Sequence, residues 1–203
     1  MASERPPSPT RGSYAKGVAR RQEILDRAIE VFAQRGADKT SLRAIASEVG
    51  VTHAALAHYF GSLEELLVAV YRESERKGGR RPVADPDVTP VEIMRISARE
   101  NREVAGLVQL YSMLVASALE EGHPAAREFA TDRFAQQREK LATRVRSNQR
   151  AGLIRADVDA DAVAALVIAA SDGLQTQWLL DPDAPQDAAL TLLEDLLAGP
   201  QHS

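Results

Sequence analysis

Histidine is the side chain that most often binds metals or transfers protons near neutral pH, and two of the four histidines lie close together, at His53 and His58. Five residues apart on one helix, they do not share a face, and no acidic or thiol partner completes a coordination set. His123 and His202 are far away in sequence, and the chain has no cysteine. Since no serine stands in a recognisable nucleophile setting either, the residues predict no metal site, no cofactor and no enzyme.

The two histidines belong to residues 40–60, TSLRAIASEVGVTHAALAHYF, whose spacing is typical of two short helices joined by a tight turn. Thr40 or Ser41 can cap the first helix, Gly50 can end it in a left-handed conformation, and Thr52 can cap the second. The apolar positions recur at helical spacing and predict the buried face of the pair: Leu42, Ile45, Ala46, Val49, Leu56 and Phe60. This arrangement is that of a helix-turn-helix, whose second helix enters the DNA major groove.

Two short helices cannot bury their own faces, and the sequence supplies a neighbour on each side. Residues 20–36, RRQEILDRAIEVFAQRG, place apolar side chains at helical spacing at Ile24, Leu25, Ala28, Val31 and Phe32. On the other side, residues 62–65 form an S-x-x-E capping box that leads into the apolar run Leu66, Leu67, Val70 and Tyr71. We therefore expect a compact three-helix unit with a long connecting helix.

These residues resemble the N-terminal domain of the TetR family of transcriptional repressors. The resemblance covers nearly a quarter of the chain, and four motifs carry it: A-x-x-x-F-x-x-x-G at residues 28–36, T-S-L-R-A-I-A at 40–46, G-V-T at 50–52, and H-Y-F-G-S-x-E-E-L-L at 58–67. Two positions depart from the family pattern, which usually has an aromatic residue where Ala57 stands. It also has a lysine, commonly a phosphate contact, where Leu63 stands.

The resemblance implies that the outer face of the second helix contacts base edges and phosphates. Small Ala54 and Ala55 would allow close approach and contact with a thymine methyl group. The Tyr59 hydroxyl can donate to a phosphate, or the ring can simply pack. The predicted DNA-binding residues are Thr40, Ser41, Arg43, Thr52, His53, Ala54, Ala55, His58 and Tyr59.

Composition predicts an all-α protein, because alanine and leucine dominate, aromatic residues make up only 4%, and no alternating apolar run is present. No apolar run reaches the ~18 residues of a membrane span, and no signal-peptide apolar region opens the chain, so we expect a cytoplasmic protein. Residues 1–60 carry nine Lys or Arg against six Asp or Glu, whereas residues 61–203 carry sixteen against twenty-three. This division favours a DNA-reading head on an acidic body, although scattered charge would give a similar count.

The chain divides into three parts by composition. Residues 1–16 are rich in proline, serine and glycine and predict a disordered arm, which is either inert or able to reach DNA through Arg5, Arg11 and Lys16. Residues 17–62 form the helix-turn-helix domain, and residues 63–203 form a larger helical body with a connector at 77–90. The body helices are expected at about residues 91–101, 104–119, 124–150, 160–180 and 185–198.

The last two body helices are apolar enough to be either core helices or a dimer interface. The family pattern makes them a four-helix bundle with a second copy, with candidate interface residues Ala165, Ala169, Gly173, Leu193, Leu196 and Leu197. The resemblance also implies a cavity in the body for a small effector. Any of its candidate wall residues could equally be ordinary core: Met94, Tyr111, Met113, Phe129, Phe134, Gln175 and Trp178.

The resulting hypothesis is a homodimeric, ligand-responsive transcriptional repressor that binds a palindromic double-stranded DNA operator and is released by an unknown small-molecule effector. Two alternatives stay open. One is a helix-turn-helix activator or architectural DNA-binding protein without an effector. The other is an enzyme whose helical head is an interaction module.

Overall fold

The computed structural model describes residues 11–35, 47–77 and 85–199, without the side chains of residues 11–14, 34, 35 and 53. In these ranges residues 47–49 are helical, and the longer helices are α1 Arg11–Arg35, α2 His53–Phe60, α3 Leu63–Lys77, α4 Pro90–Asn101, α5 Ala105–Ser117, α6 Pro124–Arg150, α7 Ala160–Leu180 and α8 Gln186–Leu197. No strand occurs among the described residues, which contain one isolated bridge between Ile154 and Ala198. The predicted all-α class is confirmed.

Several predicted features lie outside the described residues. Thr40, Ser41 and Arg43 are among them, together with most of the first helix of the predicted helix-turn-helix. Residues 1–10 and residues 78–84 of the connector are outside as well. The backbone of His53 is described, but its side chain is not.

Helix α1 begins at Arg11, within the stretch that composition predicts to be a disordered arm. The helix is anchored further along, where Ile24, Ala28 and Phe32 are at most 1% exposed. Extending an existing helix costs much less than nucleating one, and no proline occurs between Arg11 and Arg35 to stop the extension. Propagation of the helix from its anchored part therefore accounts for the first turns of α1. The prediction of a disordered arm considered only the composition of residues 1–16 and did not include this effect.

Four helices, α2, α3, α4 and α7, begin with a side-chain cap. In each case a hydroxyl or carboxylate oxygen accepts the backbone N–H three residues on, at 2.8–3.1 Å. The accepting residues are Thr52, Ser62, Thr89 and Asp159. The caps predicted at Thr52 and Ser62 are confirmed.

Two clusters of buried apolar side chains hold the helices together. The first cluster joins α1, α2 and α3 to α5 and the start of α6, with Phe32, Leu56, Leu66 and Leu110 each at most 1% exposed. The second cluster joins α4 to the rest of α6, α7 and α8. The predicted head therefore shares its core with part of the predicted body.

Helix α7 is the one described helix that is long and apolar enough to cross a membrane by length and composition. Only 33% of its most apolar 18-residue stretch is buried within the chain. Core helices of soluble proteins can have the same length and apolar composition, so these two properties do not by themselves identify a membrane span. Its exposed apolar face nevertheless requires an explanation.

Candidate functional site

Helix α2 presents one face to the core and leaves the opposite face open. Leu56 and Phe60 are 1% and 5% exposed and belong to the first cluster. Ala54 and His58 are exposed, and Ala55 is half-buried. The open face thus combines small side chains with an imidazole, which leaves room for a DNA groove to approach the backbone closely.

Tyr59 lies at the edge of this face. Its side chain is half-buried against the first cluster, and its ring meets that of His58 edge-on at a centroid distance of 5.2 Å. The two roles predicted for Tyr59, packing and donation to a phosphate, are compatible in this position, because a ring can pack while its hydroxyl reaches solvent. On the inner side, the Arg21 guanidinium lies 4.7 Å from the Phe60 ring centroid and ties α1 to α2.

The turn from α2 to α3 is tight and depends on one glycine. Gly61 has a φ of 78°, and its N–H donates to the Ala57 carbonyl at 2.8 Å to close α2. Ser62 then caps α3 by accepting the Glu65 N–H. Only these two residues, Gly61 and Ser62, separate α2 from α3.

The two positions that depart from the family pattern differ in their surroundings. Ala57 is exposed, so the absent aromatic ring leaves open space on the surface. Leu63 is half-buried and packs against the first cluster at the start of α3. Leu63 therefore contributes apolar contact rather than a charge at this position.

A polar network fastens α1 to α3. The Gln22 amide donates to Glu73 at 2.6 Å and to Asp26 at 2.7 Å, and Lys77 pairs with Asp26 at 2.7 Å. Arg76 donates two hydrogen bonds to Glu73, and together with Gln22 it lowers the pKa of Glu73 to about 2. The network holds the head against the helix that leads out of it.

A cavity of about 830 Å³ lies between α3, α4 and α6. Its apolar wall includes Ile93, Met94, Phe129 and Leu141, and charged side chains from all three helices surround it. The volume is within the range of small-molecule sites. One wall of the cavity is therefore the helix that continues from α2 through a two-residue turn.

Beside this cavity, a buried cationic side chain lies between aromatic rings. The Arg133 guanidinium carbon is 5.2 Å from the Tyr71 ring centroid and 4.9 Å from that of Tyr111, and Nη1 lies 2.7 Å from each carboxylate oxygen of Glu75. Tyr111 in turn donates to Asp172 at 2.8 Å. The set joins α3, α5, α6 and α7 in one place.

The environment of this set shifts the pKa values of its members. Burial raises the pKa of the Tyr111 hydroxyl, and the neighbouring Asp172 carboxylate raises it further. Burial likewise raises the pKa of Asp172, although the hydrogen bond from Tyr111 opposes this. Burial works against the charge of Arg133, but Tyr71 and Glu75 outweigh it and the pKa of Arg133 is raised. Arg133 therefore stays cationic.

A second cavity, of about 530 Å³, includes Glu75 of this ion pair in its lining. Its lining includes Tyr71, Glu103, Leu107 and Gln175, which come from α3, a 3₁₀ turn at Arg102–Val104, α5 and α7. Glu75 borders both cavities. Glu100 also borders both cavities, whereas Arg133 lines only the first.

The seven residues predicted to line an effector site occupy different places. Met94 and Phe129 line the first cavity and Gln175 lines the second, whereas Tyr111 lines neither and contacts Arg133. The other three line neither: Met113 is 42% exposed, Phe134 packs partly buried between both clusters, and Trp178 is buried under Arg102.

Sequence reasoning missed Arg133, Glu75 and Asp172. The side chains meet partners 58 and 61 residues away, so no local spacing marks them. The one available signal was the position of Glu75 one turn after Tyr71 on the same predicted helix.

The residues predicted for a dimer interface are divided by burial. Ala165, Ala169 and Gly173 lie on the exposed face of α7, and Leu196 is 62% exposed on α8. Leu193 is half-buried against the second cluster. Leu197 is 7% exposed and lies inside that cluster, so it is a core residue of the single chain.

Comparison with known proteins assigns the family. Residues 24–70 match the family model of bacterial regulatory proteins of the tetR family, and residues 100–200 match the model of the BetI-type transcriptional repressor C-terminal domain. The HTH-type transcriptional regulator BetI of Brucella suis biovar 1 (strain 1330) is 31% identical over 193 residues, covering 88% of this chain and 90% of the relative. The chain belongs to the TetR family of transcriptional regulators.

Two solved structures share the fold along nearly the whole chain. A transcriptional regulator from Saccharomonospora viridis, solved in complex with choline, is 24% identical with a TM-score of 0.64, covering 88% of this chain and 95% of that one. The multidrug binding protein EbrR, complexed with imidazole, is 25% identical with a TM-score of 0.61, covering 91% and 93%. The TetR resemblance drawn from the head motifs is confirmed, and this protein is a DNA-binding transcriptional regulator.

Proposed function

We propose that this TetR-family protein is a cytoplasmic, homodimeric repressor that binds a palindromic operator and releases it when a small effector enters the body. The observation that carries the proposal is the placement of the 830 Å³ cavity against α3. If α3 has two positions and a ligand fits the cavity in only one of them, the ligand favours that position. The shift in the equilibrium cannot exceed the difference between the ligand's binding free energies for the two positions. Because α3 leads into α2 through Gly61 and Ser62, such a shift reorients the DNA-reading helix.

The proposed domains are the head at residues 17–62 and the body at 63–203, which joins the head through α3 and the connector at 77–90. In the head, the open face of α2 supplies the proposed DNA contacts Thr52, His53, Ala54, Ala55, His58 and Tyr59. Thr40, Ser41 and Arg43 complete the set through the family resemblance. The exposure of Ala54 and His58 supports direct contact with the groove.

The proposed dimer forms through the exposed apolar face of α7 and α8. On α7 six exposed positions with small or apolar residues lie on one helical face: Ala162, Ala165, Leu166, Ala169, Gly173 and Leu180. On α8, Leu192 and Leu196 are 60% and 62% exposed. Small residues let another helix approach closely, and the leucines supply apolar area, so a second copy of this face is a fitting partner. Leu197 is left out because it is buried in its own chain.

A small-molecule effector is supported by the two related structures that hold choline and imidazole. Within this chain, Met94 and Phe129 form part of the wall of the proposed effector site. The function proposed is regulatory and not enzymatic.

The deciding experiment selects bound fragments from random DNA and measures their affinity by fluorescence anisotropy across a salt series. A consensus with two half-sites separated by about 34 Å, or a multiple of it, is expected for two symmetric heads. A His58→Ala variant should lose discrimination at the contacted base, whereas Arg138→Ala, an exposed change on α6, should not. Weak binding without sequence preference in the wild-type protein would overturn the proposal.

A further inference from the structure

The position of Arg133 is unusual because a charged side chain fills an aromatic site. Its side chain is 13% exposed, and its guanidinium lies within 5.2 Å of two tyrosine ring centroids. The rings of Tyr71 and Tyr111 are stacked at 5.3 Å with an interplanar angle of 27°, so they form a continuous aromatic wall. Glu75 closes the site with two contacts to Nη1 at 2.7 Å.

Two aromatic faces and a carboxylate are the groups that bind organic cations in proteins. In this chain the site is already filled, and Glu75 is already neutralised, by a residue of the protein itself. The fit is incomplete, because the Nε of Arg133 is buried and finds no hydrogen-bond partner among the described residues. An organic cation entering from solvent would have to expel Arg133 and leave that guanidinium without its carboxylate.

The charges around the first cavity point the same way. Besides Arg133, it is bordered by four cationic side chains, Arg72, Arg76, Lys140 and Arg144, and by three acidic ones, Glu75, Glu100 and Asp132. Counted by formal charge and with Arg133 included, the lining therefore carries more cationic than acidic side chains. The apolar wall at Met94 and Phe129 accepts a hydrocarbon group beside these charges.

We propose that Arg133 determines effector selectivity by occupying a cation site, so that the first cavity accepts apolar molecules with an anionic group and excludes organic cations. The inference rests on the proposed effector function, since it concerns the ligand of that same cavity. Arg133 acts here as a specificity-determining residue.

The first arm of the test uses the wild-type full-length protein and two probes with the same chain length. Decanoate and decyltrimethylammonium are titrated below their micelle-forming concentrations by isothermal calorimetry. We expect decanoate to bind at least about tenfold more tightly than decyltrimethylammonium, which corresponds to one unit of log Kd. Equal affinity, or tighter binding of the cation, would overturn the proposal.

The second arm vacates the site and asks whether a free cation restores it. In Arg133→Ala, methylguanidinium chloride should raise Tm by about 2–4 °C in a saturable way relative to sodium chloride at equal ionic strength. Neither the wild-type protein nor the exposed control Arg138→Ala should respond. A folded Arg133→Ala protein without rescue would contradict the assignment of a cation site.

The two arms keep the failure modes separate. If Arg133→Ala does not fold, the wild-type comparison of the two decyl probes decides alone, and if neither probe binds, the rescue decides alone. The rescue is read without DNA, so it is independent of repressor function. If rescue succeeds and no ligand alters operator binding, the proposed effector function fails while the role of Arg133 in filling a cation site stands.

Discussion

Gly61 is the residue whose backbone the head depends on most. Its φ of 78° is accessible to glycine at little cost, and an added Cβ would also collide with the Glu65 carboxylate. We expect Gly61→Ala to lower the free energy of unfolding by about 1–2 kcal/mol. Thermal unfolding by circular dichroism measures this change.

Gly17 supplies the matched control for that substitution. It lies in α1 with nothing within 4 Å of an added Cβ. Gly17→Ala should therefore raise the free energy of unfolding, by about 0.5–1 kcal/mol, because alanine is the better helix former. If both variants shifted Tm in the same direction, the role assigned to the Gly61 conformation would be wrong.

Glu73 makes the stability of the head depend on pH. Its pKa is lowered from 4.5 to about 2, mainly by hydrogen bonding to Arg76. A lowered pKa means that the carboxylate stabilises the folded protein above pH 4.5 and that this contribution is lost as the pH falls towards 2. Glu73→Gln should cost about 1–2 kcal/mol at pH 7, and the difference from wild type should shrink across that acidic window.

Urea unfolding of Glu73→Gln and wild type at a series of pH values measures this difference. Exposed Glu139 provides the control, since Glu139→Gln should change stability by less than about 0.5 kcal/mol. A Glu73→Gln difference that stayed constant from neutral pH to pH 2 would show that Glu73 acts through packing rather than charge.

At the scale of elements, α3 and α6 meet through one carboxylate. Glu64 accepts the Ala125 N–H at 3.1 Å and lies 3.0 Å from His123 Nδ1. His123, the residue that precedes α6, makes no side-chain cap of its own, so Glu64 serves as the cap from another helix.

Removing this cap should loosen the junction between head and body. Glu64→Ala is expected to cost about 1 kcal/mol of stability and to speed amide exchange at the first turn of α6. Hydrogen exchange read by mass spectrometry provides the measurement, with Glu139→Ala, an exposed change later in α6, as control. Unchanged protection in peptides covering Ala125 would argue against a junction role for Glu64.

The start of α3 also offers a test of the departure at Leu63. Leu63 is half-buried, and a lysine there can cover the same apolar surface with its stem while its ammonium reaches out. We expect Leu63→Lys to bind operator about 3–10-fold more tightly at moderate salt, with a log K versus log salt slope steeper by about 0.9. The control Leu63→Met retains the apolar contact without a charge and should leave the operator affinity and the salt slope unchanged. If Leu63→Lys gave the same values as Leu63→Met, this position would point away from the duplex.

At the scale of the whole molecule, the proposed dimer depends on the open face of α7 and α8. Leu166 is 52% exposed in the single chain and lies on this face. Leu166→Glu would bury an unpaired charge in a dimer, so we expect the dissociation constant of the dimer to increase by about 100-fold or more. Sedimentation velocity measures the dissociation, and operator affinity should fall with it.

Leu119, which is 83% exposed after α5, gives a control leucine outside α7 and α8. Leu119→Glu should leave the oligomeric state unchanged. A Leu166→Glu protein that remained dimeric would place the interface elsewhere and leave the apolar face of α7 unexplained.

The local features of this fold could be predicted from sequence. The bounds of α6 and α7 match the expected 124–150 and 160–180, since helical periodicity, caps and proline positions are set by neighbours within a few residues. The head motifs were sufficient to indicate the family. The same local rules placed Met113 among the wall residues, but hydrophobicity does not show which way a helix is turned, and the structure leaves it 42% exposed.

Only the tertiary structure decided which side chains meet across the chain. Sequence alone gave no reason to single out Arg133 among 25 lysines and arginines, because its partners Tyr71, Tyr111 and Glu75 come from other helices. The shared core of head and body was equally hidden, since the connector suggested two separate units and packing joined them. Patterns within a few residues determine helices, whereas the cavity and its charges arise from helix faces brought together over tens of residues.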